Sequence, residues 1–144
     1  KYLKKVAVAG GSLPGIDKTI HDAFKLGRAA IVAKDYKLRD EQALIVKENL
    51  SKVIGRKAAD YLRSGAQEIT DGNWANAHHA LSEGYGFILS LQYTMDPATG
   101  APYYSNTRVN NMLDTFDSGN GFWDQKPEDL IKMAEDIETT FKFQ

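Results

Sequence analysis

Apolar residues return every three or four positions along most of the chain, and strict alternation is nearly absent. That period belongs to helices packed on one side. In residues 16–34, Ile16, Ile20, Phe24, Gly27 and Ile31 fall on one line. A polar connection, AKDYKLRDE, follows. A second helix is expected from residue 39 or 40 to residue 63, with Ala43, Leu44, Leu50, Val53, Ile54, Ala58, Tyr61 and Leu62 on its apolar side. Ser64 and Gly65 supply a stop for it, and TDGN reads as a turn. A third helix spans residues 73–93. The loop MDPATGAPYYSN leads to a shorter helix over residues 107–117, carrying Val109, Met112, Leu113 and Phe116. SGNGFWDQK is a loop anchored by Phe122 and Trp123. Pro127 then suits the first turn of a last helix, and Glu128 and Asp129 suit its positive end. Leu130, Met133, Ile137 and Phe141 give that helix its stripe. The opening KYLKKVAVAG is the tail of a helix or a linker, broken off by GGSLPG. The pattern predicts an all-α fold, a bundle of four longer helices and one shorter, as a single helical domain over residues 1–144.

The third helix holds the candidate chemistry. At about 3.6 residues per turn, Trp74, Ala77, His78, Leu81, Tyr85, Ile88 and Leu89 form an apolar stripe. Beside it runs a polar or small stripe of Asn76, His79, Glu83, Gly86 and Ser90. His79 and Glu83 are four apart, so their side chains can meet. Gly84 and Gly86 each cost about 1 kcal/mol against Ala inside a helix, which is tolerated where another backbone comes close. From Ser64 to Thr107 there is no Lys or Arg, while Glu68, Asp71, Glu83 and Asp96 are present. A buried Glu83 therefore needs its charge met from elsewhere. Protonated His79, Arg28 on a facing helix, or a metal ion held by His79 and Glu83 could each meet it. Asp17 and His21 form a second His/carboxylate pair at the same spacing. Two such pairs on facing helices would make a nitrogen and oxygen site suited to zinc or iron. Against this stands a structural role, in which His78 is a core histidine and His78, Arg28, His79 and Glu83 form a buried network that fixes helix register.

Composition narrows the choice. Hydrophobic residues make up 42% and charged residues 26%, values ordinary for a globular domain. The net charge of -1 offers no basic face for nucleic acid, so no such partner is expected. No apolar run approaches the about 20 residues of a membrane span. With no cysteine, disulfides and thiolate metal sites are excluded. There is no HExxH helix, no phosphate-binding glycine loop and no GxSxG elbow. PYYSN is either loop packing or a stacking surface for a sugar or peptide.

Three segments in order, GRAAIVAKDYKLRDEQALIVKENLSKVIGRKAADYL, WANAHHALSEGYGFILSLQY and NGFWD, resemble the C-terminal part of family 4856 of the domains of unknown function, which are bacterial envelope proteins. The resemblance implies export to the periplasm or outer-membrane surface of a Gram-negative bacterium, behind a secretion or lipoprotein signal. It also implies that the chain is the C-terminal half of a longer protein. A second likeness is to imelysin-like proteins, helical bundles linked to iron uptake whose GxHxxE motif presents metal ligands. His79 and Glu83 match that motif, with a spacing of four instead of three and Ala77 in place of the glycine.

The leading expectation is a non-enzymatic, exported helical domain that binds a metal ion or small ligand through His79 and Glu83, with His21 and Asp17 as possible additions. The alternative is a structural or interaction domain without a ligand. A hydrolase using Glu83 as general base beside His79 would need an open cleft. A half-domain would expose the apolar face that met its missing half. Its partner would be that N-terminal half, another envelope protein or a second copy.

Overall fold

The computed structural model describes residues 1–143. Among them there are six α-helices and no strand. They are α1 (Tyr2–Ala7), α2 (Ile16–Val32), α3 (Tyr36–Thr70), α4 (Trp74–Ser90), α5 (Asn106–Asp117) and α6 (Pro127–Phe141), with 3-10 turns at Leu91–Tyr93 and Gly121–Asp124. The fold is all-α as expected: α2, α3, α4 and α6 are the longer helices, α5 is the shorter, and α1 is the opening segment. No helix among the described residues is long and apolar enough to cross a membrane. The chain divides into two compact units. The first comprises Lys1–Val53 and Thr94–Ala101; the second comprises Ile54–Tyr93 and the chain from Pro102 onward. The boundary falls inside α3.

The helix ends correct two expectations. The polar connection after α2 is only three residues long, because Asp35 caps α3: its Oδ1 accepts the Leu38 N–H at 3.0 Å. At the end of α2, Lys34 takes a left-handed conformation with φ 57. The Lys34 N–H reaches the Ile31 carbonyl at 3.1 Å, and the Asp35 N–H reaches that of Ala30 at 2.9 Å. This bond pair is a Schellman closure made without glycine. At its other end α3 runs through Ser64 and Gly65 to Thr70, reaching 35 residues. Gly65 is a packing glycine, since a Cβ there would lie 2.7 Å from Leu81 Cδ2. The stop is Gly72, whose φ of 74 is easy only for glycine. It completes a second Schellman closure through Gly72 N–H to Ile69 at 3.0 Å and Asn73 N–H to Glu68 at 2.8 Å.

In the second unit α3, α4, α5 and α6 each bury one stripe. Ala58, Ala59, Leu62 and Ala66 meet Leu81 and Ile88, Val109, Leu113 and Phe116, and Leu130, Ala134 and Ile137. Each fully buried Leu or Ile contributes roughly 1.5–3 kcal/mol. The α3/α4 crossing pairs small with large in both directions: Leu81 sits over Gly65, and Tyr61 sits over Gly84. That rotates the buried line of α4 to Ala77, Ala80, Leu81, Gly84 and Ile88, and turns Leu89 outward. The loop tyrosines pack inside the unit. Tyr103 stacks on Phe141 at 4.1 Å, and fully buried Tyr104 donates to Asp136 at 2.9 Å. Arg108 lies over the Tyr104 ring at 3.9 Å, and burial pushes the phenol pKa well up.

The first unit has a thinner core of Val6, Ala7, Ile16, Ile20 and Val53. On α2 the inward line is Ile16, Ile20, Ala23 and Ala30. Phe24 and Ile31, expected inside, are 59% and 53% exposed. Beyond Ile20, the small residues Ala23 and Ala30 take the inner positions and leave Phe24 and Ile31 outside.

Candidate functional site

On α4, Glu83 is half-buried and His79, one turn earlier, is exposed. Glu83 lines an open recess of about 370 Å³ with Ser82, Gly86, Phe87 and Ser90. Both serine hydroxyls are turned to the backbone, Ser82 donating to the His79 carbonyl at 2.9 Å and Ser90 to that of Gly86 at 2.8 Å. Gly86 meets no close neighbour, so it leaves the recess open without receiving another backbone. Glu83 therefore borders open space. The other acids of the cation-free stretch are met by dipoles. Glu68 accepts from the Asn76 amide at 3.4 Å, Asp71 from Gln67 at 2.9 Å, and Asp96 from the Ala98 N–H at 3.0 Å.

His78 faces inward among aromatic rings. The Trp123 ring stands edge-on to it at 4.2 Å and 82°, with Trp74 at 6.1 Å and Phe122 at 6.2 Å. Its Nε2 is buried without a hydrogen-bond partner among the described residues. The imidazole is thus held by ring packing, not by the expected polar network. Phe122 anchors the loop on Phe116 at 5.8 Å, while Trp123 is 60% exposed and lies against Trp74 at 5.6 Å.

Asp17 and His21 are exposed on α2 in the first unit, whereas His79 and Glu83 belong to the second. The carboxylate near His21 is Asp22, at 3.6 Å, and not Asp17. Asp17 accepts the Lys18 N–H at 2.9 Å, in the first turn, where helix amides lack intrahelical partners. Among the described residues, no group of three or more His, Cys, Asp or Glu side chains is placed to hold a metal ion. Arg28 is exposed on α2 and carries no ion pair among the described residues.

A charge network of the second unit joins α3 to α6. Arg63 grips Glu138 with two hydrogen bonds, at 2.6 and 3.1 Å, and Arg56 adds a third at 2.9 Å. Arg56 also donates to Asp60 at 2.7 Å, and Lys57 donates to the other Asp60 oxygen at 3.0 Å. The Arg63 hydrogen bonds, aided by the charges of Arg63 and Arg56, hold the Glu138 carboxyl below the usual range. Sequence reasoning passed over this cluster. Its signal is GRKAADYLR, which puts Arg56 and Arg63 seven apart on one helix face.

The first unit offers a groove instead. Between α2 and α3 lies an apolar furrow of about 340 Å³, formed by Phe24, Gly27 and Ile31 on one side and Ala43 and Val46 on the other. Gly27 lets the helices approach, its Cβ position lying 3.4 Å from the Gln42 Cβ. Arg28, Arg39 and Lys47 stand in its walls, and no carboxylate lines it. Arg39 pairs with Asp40 at 2.7 Å and covers the Tyr36 ring at 4.9 Å.

No curated protein and no solved structure matches the chain. The sequence model of the family described as Domain of unknown function (DUF4856) matches residues 1–144, and the chain belongs to that family.

Proposed function

We propose that this chain is a non-enzymatic helical domain that works by binding another polypeptide, and that it does so in the bacterial envelope. The observation that supports the interaction role is the open α2–α3 furrow, with Phe24 and Ile31 more than half exposed. Large exposed apolar residues gathered in one groove mark interaction surfaces. The envelope location rests on the resemblance to exported proteins, and cell fractionation checks it. To test the interaction, a photoreactive phenylalanine replaces Phe24 in the native host, with the same residue at exposed Asn110 as control. A defined adduct from position 24 and none from position 110 is expected. Equal labelling from both positions, or none from 24, overturns it.

A second reading is supported by the recess on α4. A half-buried Glu83 lines open space, with exposed His79 one turn away, and that pair could bind a zinc or iron ion or a small polar ligand. Metal analysis of the purified chain tests it, together with thermal melts in added Zn, Fe or Cu. Absence of bound metal and of any shift would sink this reading.

A further inference from the structure

We propose that the α2–α3 furrow docks an amphipathic helix of a separate protein whose apolar stripe is edged by Asp and Glu. This rests on the furrow being an interaction surface and adds the chemistry of the partner. Two neighbouring helices with an unfilled apolar seam present the geometry that a third helix completes, its i, i+3/i+4, i+7 side chains filling the groove. Phe24 and Ile31 are seven apart on α2, matching two turns of such a helix, and Val46 forms the opposite floor. The charge is on the walls: Arg28 on one side, Arg39 and Lys47 on the other, with no acid among the lining residues. Arg28 and Lys47 have no carboxylate partner among the described residues, so their charge is available to an incoming acid. A partner with basic edges would meet like charge on both sides.

A second copy of the chain fits less well. An isologous contact through the furrow would bring the unpaired Arg28 and Lys47 of each copy face to face with those of the other. The chain's own acidic amphipathic helix, α6, already buries Leu130, Ala134, Ile137 and Phe141 in the core of its unit.

The probes are synthetic helical peptides of about 18 residues, long enough to hold some helix alone. One carries a Leu stripe edged by Glu, another the same stripe edged by Lys, and a third the stripe edged by Gln. Binding to the 144-residue chain is followed by fluorescence anisotropy at low and high salt. The Glu-edged peptide is expected to bind at least about tenfold tighter than the Lys-edged one, with the preference shrinking in salt. The double variant Arg28→Glu/Lys47→Glu should reverse the preference. If that variant does not fold by circular dichroism, Arg28→Gln/Lys47→Gln should erase it. Phe24→Ser should weaken every peptide. A Lys-edged peptide that binds as well as the Glu-edged one, yet is lost on Phe24→Ser, overturns the acidic partner and leaves the interaction surface standing. Failure of all three peptides overturns both. A dimer by sedimentation velocity that Phe24→Ser dissolves assigns the furrow to a second copy. Tighter binding to phosphatidylglycerol vesicles than to the Glu-edged peptide assigns it to a membrane surface. Either result overturns the proposal.

Discussion

Phe116 and Phe24 are the same side chain in opposite circumstances. In the second unit Phe116 is 1% exposed, edge-on to Tyr85 at 6.0 Å and to Phe122 at 5.8 Å. In the first unit Phe24 is 59% exposed, although it sits on a helix of the same period. The difference lies in which residues face inward. The second unit turns Leu62, Leu81, Ile88, Leu130 and Ile137 into its core. The first closes around Ile16 and Ile20 and then fills the α2 line with Ala23 and Ala30. Large apolar groups within a packed core stabilise the fold, whereas the same groups outside it stabilise the folded state little and remain available to a partner.

The comparison is sharpest at Phe116. Phe116→Ala removes a ring from a close-packed interior and leaves a cavity, so it should cost about 3–5 kcal/mol. Urea denaturation followed by circular dichroism measures it. A loss below about 1 kcal/mol would mean that the core of the second unit collapses easily, and the contrast between the units would be gone.

Charge separates the units as well. In the second, Glu138 satisfies Arg56 and Arg63 together; in the first, Arg28 and Lys47 face an apolar groove. Glu138→Gln removes the charge and leaves Arg63 without its counter-ion, while Arg56 keeps Asp60 at 2.7 Å, so the cost near neutral pH is about 1–2 kcal/mol. The sign of its pH dependence follows from linkage. The Glu138 pKa is lowered by folding, so its contribution is complete above the ordinary glutamate pKa of about 4.3 and is lost as pH falls through the depressed folded value. The stability gap between the natural protein and the variant should therefore hold at neutral pH and close in acid. Thermal melts taken stepwise downward in pH read this directly. A gap that stays constant into acid would assign the effect to shape rather than charge.

Much of the fold was readable from period alone. The α6 span, the α5 core residues and the TDGN turn follow from spacing and from Pro and Gly chemistry. The misses were local contests that period does not decide. By pattern Asp35 belongs to a polar linker, yet its carboxylate caps α3. Gly65 looked like a stop and is a packing contact for Leu81, a role visible only once α4 is in place. At the candidate site, spacing put His79 and Glu83 on one face of α4, and the recess beside Glu83 adds the open space that a ligand would need. Spacing could not place Arg56 and Arg63 on Glu138, because that pairing spans 82 and 75 residues of chain. Nor could it tell that Ala23 and Ala30, one position from the expected stripe, would win the inside of α2.

Phe24 supplies the smallest effect and the other half of the test. Phe24→Ala deletes the same atoms as Phe116→Ala, but most of that ring already meets water, so little transfer free energy is lost and no closed cavity forms. The expected change in stability is at most about 1 kcal/mol, read from the same urea denaturation. A cost that matched Phe116→Ala would show that Phe24 is covered in solution by something that belongs to the folded state of the free chain. The apolar furrow would then be part of the core, and the first unit would differ from the second only in the size of its residues. A small cost, together with loss of peptide binding, would instead assign this phenylalanine to recognition, since folding needs it so little.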